Sequence, residues 1–274
     1  MSEAKIIPAP SIELIDESFD LKKSGSYHLS ILSGEKSMSF TILDPNSGKY
    51  LMLSSQSGLE KLGTSTFKSV TCAVAHPKFT LVPSSLFDDE NRNSLLGFNH
   101  PIESGEKTHS DNLINLGAKN LFTIDRELEA SMRKQFPNIH FLHNATAFIE
   151  GLLIQNKNKS GKKVFANFHS SYFEIAILEG TELLFSNAFR YNTAEDIAYY
   201  ILFVYEQLHL NPEEVDLILC GEIEKTAKEH ALLFNYIRNV KFASLPDSFK
   251  YSYKFDEIQP HKFWSLFTQY LTIG

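Results

Sequence analysis

Residues 164–187 read VFANFHSSYFEIAILEGTELLFSN. Apolar side chains dominate Val164 to Phe168, Tyr172 to Leu178 and Glu182 to Asn187, and the corners His169-Ser170-Ser171 and Glu179-Gly180 separate them, so the stretch predicts a three-stranded meander. The same order stands 135 residues earlier. There His28 to Leu32 and Ser37 to Leu43 flank the turn Ser33-Gly34-Glu35-Lys36, and Tyr50 to Leu53 follows the turn-forming loop Asp44-Pro45-Asn46-Ser47-Gly48. At that offset Leu29 and Ile31 fall on Val164 and Ala166, while Met38, Phe40 and Ile42 fall on Phe173, Ile175 and Ile177. The buried faces of the two meanders coincide, which marks an internal duplication.

Working outward from the second meander, Thr193 is placed as N-cap of an amphipathic helix through Leu208, ended by Asn211-Pro212. A strand at Val215 to Cys220, a helix near Lys225 to Ile237 and a strand at Val240 to Ser244 then imply a parallel crossover. After the first meander the reading gives strands at Val70 to Ala75 and Lys78 to Val82, a helix at Pro83 to Leu96, and a hairpin of Asn112 to Leu116 with Asn120 to Ile124. A helix at Arg126 to Phe136, a strand at Ile139 to Leu142 and a helix at Thr146 to Gln155 complete that half, and the last helix is His261 to Leu271. The run Tyr199 to Tyr205 is apolar around the whole helix, which predicts burial on every side. Trp264, Phe267 and Tyr270 share one face of the last helix; that face either docks on this chain, the favoured reading, or meets a partner.

Composition excludes several classes. With 43% apolar residues among 274 the chain buries a full core, and its longest apolar run, Ala198 to Tyr205, is far short of the ~20 residues that span a bilayer. The net charge of −7 repels polyanions, and the densest basic stretch, NKNKSGKK at 156–163, is a solvated turn without aromatics, so no nucleic-acid role is expected. Cys72 and Cys220 are isolated in apolar runs, as free thiols of a reducing compartment are, and the start carries no export signal; the expected location is the cytoplasm. His140 and His143, three apart on a strand, face opposite sides and cannot chelate one metal, so no metal site is expected.

Duplicated meanders followed by helix and strand alternation are similar to the actin, sugar-kinase and Hsp70 superfamily. Asn167 to Leu178, NFHSSYFEIAIL, resembles its second phosphate loop, Asp-Leu-Gly-Gly-Gly-Thr-Phe-Asp-Val-Ser-Ile-Leu, in the strand but not in the loop. Asn144-Ala145-Thr146-Ala147 looks like the Glu-Pro-Thr-Ala segment that opens the helix joining the lobes, and Leu217 to Glu222, LILCGE, looks like the strand and Gly-Gly pair that contact adenosine. The segments Phe79 to Pro83 through Leu86-Phe87, and Phe136-Pro137 followed by His143, resemble the uncharacterised family DUF3822, known mainly from Bacteroidetes and actin-like in fold. The resemblance implies an α/β chain with a duplicated actin-like, ribonuclease H-like fold: two lobes, each a mixed sheet flanked by helices. The first lobe would span 1–144, joined by the C-terminal helix within 257–274, and the second 145–256.

An intact site of that superfamily would make the chain an ATPase or ATP-dependent phosphotransferase, gripping phosphates on glycine-rich turns. Here His169, Ser170 and Ser171 stand in the second loop, Tyr172 in its threonine position and Asn167 in its acidic position. In the first loop Ser30 or Leu32 takes the place of the acid that would orient Mg²⁺, and a neutral side chain is a poor ligand for a hard cation. Gly221 persists, but Glu222 replaces its partner glycine, and 13 glycines in the chain are fewer than the usual ~7%. The sequence therefore predicts a non-catalytic, cofactor-free protein that binds another protein or forms a homodimer. The alternative is a nucleotide-binding or phosphotransfer protein, with ATP and Mg²⁺ in a nonstandard cleft lined by Ser33, Gly34, His169, Ser170, Ser171, Gly221 and Glu222.

Overall fold

A computed structural model describes residues 11–35, 38–55 and 58–273. The described residues begin with β1 (Ile12–Ile15), followed by the first meander, β2 (His28–Ser33), β3 (Met38–Asp44) and β4 (Lys49–Ser55), and by β5 (Ser69–Val74). The tip of the β2–β3 turn, residues 36 and 37 with the lysine of that corner, lies outside the described residues. Next come β6 (Phe79–Pro83), α1 (Arg92–Gly97), β7 (Glu106–Leu113), β8 (Ala118–Asp125), α2 (Arg126–Gln135), β9 (Ile139–His143) and α3 (Asn144–Asn156). The second half holds β10 (Lys162–Phe168), β11 (Tyr172–Glu179), β12 (Glu182–Arg190), α4 (Ala194–Gln207), β13 (Asp216–Gly221), α5 (Lys228–Phe234), β14 (Val240–Phe242), β15 (Lys250–Tyr251) and α6 (Trp264–Thr268).

The duplication is visible in the sheets. One has the order β4-β3-β2-β5-β9, with β1 and β15 added along the outer edge of β4, and the other has the order β12-β11-β10-β13-β14. In each, the meander is antiparallel and the two following strands join in parallel. The registers superpose at the offset read from the sequence: Leu29 faces Ile42 and Ile31 faces Phe40 in the first sheet, as Val164 faces Ile177 and Ala166 faces Ile175 in the second. Matching registers put the equivalent side chains on the same face, because a slip of one residue would invert every one of them.

Two helices lie between the sheets. α3 contacts β5 and β9 of the first sheet, β11 of the second and α6, and is buried along nearly its whole length, the polar Asn144, Thr146, Glu150 and Asn156 included. α6 rests on β2, β3 and β13. The two cross at Gly151, where a Cβ would lie 2.7 Å from Thr268 Cγ2 and 2.9 Å from Trp264 Cη2. The C-terminal segment is docked on its own chain: the Trp264 indole N–H donates to Ser244 O (3.0 Å), the Tyr50 hydroxyl to Phe267 O (2.6 Å) and the Gln269 amide to Ile31 O (3.0 Å).

Four local expectations are corrected. Pro83 to Leu96 is not one helix: residues 84–86 and 89–91 are single 3-10 turns and only Arg92–Gly97 is α-helical. The Asp88 carboxylate accepts the Glu90 N–H and holds the chain in a turn that competes with helix. The strand expected at Asn112 to Leu116 runs instead over Glu106–Leu113, because two of its three buried positions are the polar Thr108 and Asp111 and give no apolar alternation. The last helix is broken into a 3-10 turn, α6 and another 3-10 turn. α4, N-capped by Thr193 as its sequence suggested and with Asp196 returning the bond, buries only one face; Tyr199 and Phe203 stay exposed because the sheet covers one side of the helix. The strands β6, β8 and β7 form a separate three-stranded sheet inserted between β5 and β9.

Candidate functional site

The C-terminal ends of β2 and β10, each turning sharply into the next strand, come together with the start of α3, the end of β13 and α6 around a cavity of about 390 Å³. Gly34, His169, Gly221 and Glu222 line it, as the alternative reading placed them. Ser33, Ser170 and Ser171 do not: Ser33 ends β2 with its carbonyl accepting the Ala75 N–H, Ser170 is exposed, and the Ser171 hydroxyl donates to Glu35 across the two corners (2.8 Å). The lining also includes Leu32 and Asn167, which the sequence reading set at the loops' expected acidic positions, and Asn144, Lys262, Phe263 and Leu266, which it did not assign to the cleft.

Behind this lining lies a buried carboxylate. Asn167 on β10 pairs with Glu174 on β11, so the neutral residue at the expected acidic position has an acid beside it on the next strand. Glu174 is 1% exposed, and its Oε2 accepts from Asn144 Nδ2 (2.7 Å), Asn167 Nδ2 (2.8 Å) and His169 Nε2 (3.3 Å). Asn167 Nδ2 is also 3.1 Å from Ser265 Oγ. All the donors gather on one oxygen; Glu174 Oε1 and Asn144 Oδ1 have no partner among the described residues. The signal available in the sequence was a glutamate within a strand apolar on both faces, since a carboxylate is not buried without donors.

The loop between β10 and β11 is filled by protein. His169 stacks on Tyr172, with ring centroids 4.3 Å apart, and Tyr172 is almost wholly buried. Burial, followed by the charges of Glu174, Glu35 and Glu222, raises the Tyr172 phenol well above its ordinary range. Gly221, at φ +78°, brings its backbone against the same loop: a Cβ there would lie 2.2 Å from Phe168 O, which accepts the Glu222 N–H (2.8 Å). The glycine is thus required by chain packing. Of the cations near the cleft among the described residues, Lys262 is paired with Glu224 (2.6 Å) and Arg190 lies 4.0 Å from Glu35.

The remaining polar groups read from the sequence have other settings. His140 is exposed and His143 is buried, on opposite faces of β9, and His143 Nε2 bonds His76 O. Burial pushes the Cys72 thiol up to about 12 and the Cys220 thiol higher still. Among the described residues no three His, Cys, Asp or Glu side chains converge as a metal cluster, and no helix is long and apolar enough to cross a membrane.

Comparison with known proteins gives a consistent assignment of fold. The model of a family described as "Protein of unknown function (DUF3822)" matches residues 16–240. A crystal structure of a Bacteroides thetaiotaomicron protein with an actin-like ATPase fold and unknown function is 25% identical, with a TM-score of 0.76 over 82% of this chain and 93% of that one. A chain from the PilM–PilN type IV pilus biogenesis complex is 11% identical, with a TM-score of 0.59 over 88% of this chain and 95% of that one. No functionally curated protein matches the sequence.

Proposed function

The chain belongs to the DUF3822 family and has an actin-like fold, and from that premise we propose that it is a non-catalytic cytoplasmic protein acting by binding another protein or a second copy of itself. One observation carries the reading. The side-chain donors at the second phosphate corner, from Asn144, Asn167 and His169, are already engaged by the internal carboxylate of Glu174. A phosphate placed there would displace these bonds and meet a buried negative charge, whereas phosphate sites present unengaged N–H groups and cations. Glu35 and Glu222 add to the repulsion, and the turn that would cradle the phosphates holds stacked rings.

The binding role has support of a different kind. Tyr199 and Phe203 stack on each other at 6.1 Å on the outer face of α4 and are 63% and 42% exposed, which makes them the kind of aromatic anchors that interfaces use. The PilM–PilN complex shows that this fold can be one member of a protein assembly. The test is calorimetric and thermal-shift titration with ATP and ADP in Mg²⁺. No heat and no shift up to millimolar nucleotide is the expected result, and saturable binding overturns the reading in favour of a nucleotide-dependent activity. Light scattering coupled to size exclusion tests the second half: a dimer or stable heteromer weakened by Tyr199→Ser is expected, and a strict monomer that retains no partner counts against it.

A further inference from the structure

We infer that the outer face of α4 is the docking surface for a basic, amphipathic helix of another protein, which rests on the protein-binding role proposed above and gives the partner its chemistry. Along that face the exposed residues Glu195, Tyr199, Phe203 and Glu206 follow one another at spacings of four, four and three, so two rings lie in one row with an acid at each end. The rings are held in place. Tyr199 packs edge-on against Tyr200 (5.3 Å) and stacks on Phe203 (6.1 Å), and Tyr200 stacks on Phe189 of β12 (4.8 Å), so little side-chain freedom is left to lose on binding.

Charge decides what covers them. Residues 179–214, from the end of β11 to the turn after α4, hold seven acids and one base, Arg190, and so six of the chain's seven net negative charges. Of these acids Asp196 is used in the helix cap and Glu213 on Arg238, while α4 carries no lysine or arginine to offset Glu195 and Glu206. Nucleic acid and anionic lipid are repelled, and a second copy laid on this face in either direction would set acid against acid. A segment with apolar residues toward the rings and lysine or arginine beside them meets both features. Its cations reach the two glutamates, which stand about 16 Å apart along the helix axis, and their stems can lie over the aromatic faces. A straight row three turns long is matched by a second helix laid alongside.

The experiment titrates the full chain by calorimetry with a capped peptide of about 18 residues that has leucines at helical spacing and lysines elsewhere. The same composition scrambled, and a version with glutamate in place of lysine, are the comparison probes. Saturable one-to-one binding of the first, binding of the scrambled peptide at least about tenfold weaker and none of the acidic one are expected. Tyr199→Ser with Phe203→Ser should weaken the helical peptide at least about tenfold. Glu195→Gln with Glu206→Gln should weaken it several-fold and flatten its dependence on salt between about 50 and 300 mM. Glu90→Gln with Glu127→Gln, exposed acids outside this face, should leave it unchanged. No binding of the helical peptide, equal binding of the scrambled or acidic one, unchanged affinity in the Tyr199 and Phe203 variant, or an equal loss in the two glutamine pairs overturns the inference. A homodimer broken by Phe203→Ser overturns it too, yet leaves the protein-binding role standing, whereas saturable nucleotide binding counts against the non-catalytic reading and not against this face.

Discussion

Substituting Gly221 by alanine isolates the packing of the second corner. Two costs add there. A left-handed residue other than glycine costs about 1–2 kcal/mol, and Gly221 sits at φ +78°. The new Cβ would lie 2.2 Å from Phe168 O and 2.7 Å from Phe168 N, backbone atoms at the end of a central strand, so relief requires β10 to shift and stretches the 2.8 Å bond from Glu222 N to that same oxygen. Overpacking of this kind adds about 1–3 kcal/mol, for a total of about 2–5 kcal/mol, or a melting-temperature drop of roughly 5–15 °C. Gly48→Ala is the control, because Gly48 has φ +66° and nothing within 4 Å of a Cβ, so it incurs only the first cost. Urea unfolding of the two variants at constant slope measures the difference. If Gly221→Ala is no more destabilising than Gly48→Ala, the account of this corner is wrong. Ligand binding lost in Gly221→Ala would not by itself identify a nucleotide site, since the substitution disturbs the fold first.

Gly151→Val should destabilise by about 2–4 kcal/mol in chemical unfolding, because Thr268 and Trp264 at the crossing of α3 and α6 are fully buried and have nowhere to move; a neutral effect would show that the helices can part. Trp264→Ala should cost about 3–5 kcal/mol by the same assay, as expected for a truncated buried aromatic, and a loss under 1 kcal/mol would mean that the C-terminal segment is not docked. Burial raises the Asp111 carboxyl to about 7 against 3.8 when unfolded, so the unfolded chain releases this proton first and stability falls as pH rises from about 4 to 7, then levels. Asp111→Asn removes that loss, at most about 4 kcal/mol, and should raise the unfolding midpoint at pH 8 more than at pH 5; the reverse order would refute the assignment. Neither Cys72 nor Cys220 should react with a thiol reagent in the native protein at pH 8, both reacting in denaturant; fast native labelling would contradict their burial.

The sequence by itself determined the duplicated meander, the correspondence of its two copies and the parallel crossover that follows the second, because period-two alternation of apolar residues is a local signal and the offset of 135 residues carries the same pattern into both halves. It also showed that the second corner lacks glycines and that neither loop has a carboxylate at the position expected to orient Mg²⁺. Tertiary structure alone decided what stands there instead. Asn144, Asn167, His169 and Glu174 meet through an antiparallel pairing and the packing of α3 on β11, and no spacing along the chain announces that a glutamate will lie beside an asparagine seven residues earlier and another thirty residues earlier. The true start of β7 escaped the reading for the same reason, since Thr108 and Asp111 are buried by contacts that only the folded chain provides. Apolar periodicity reports which face is buried; which polar groups are buried together is set by the partners across the fold, and those are fixed only when the sheets and helices have closed on one another.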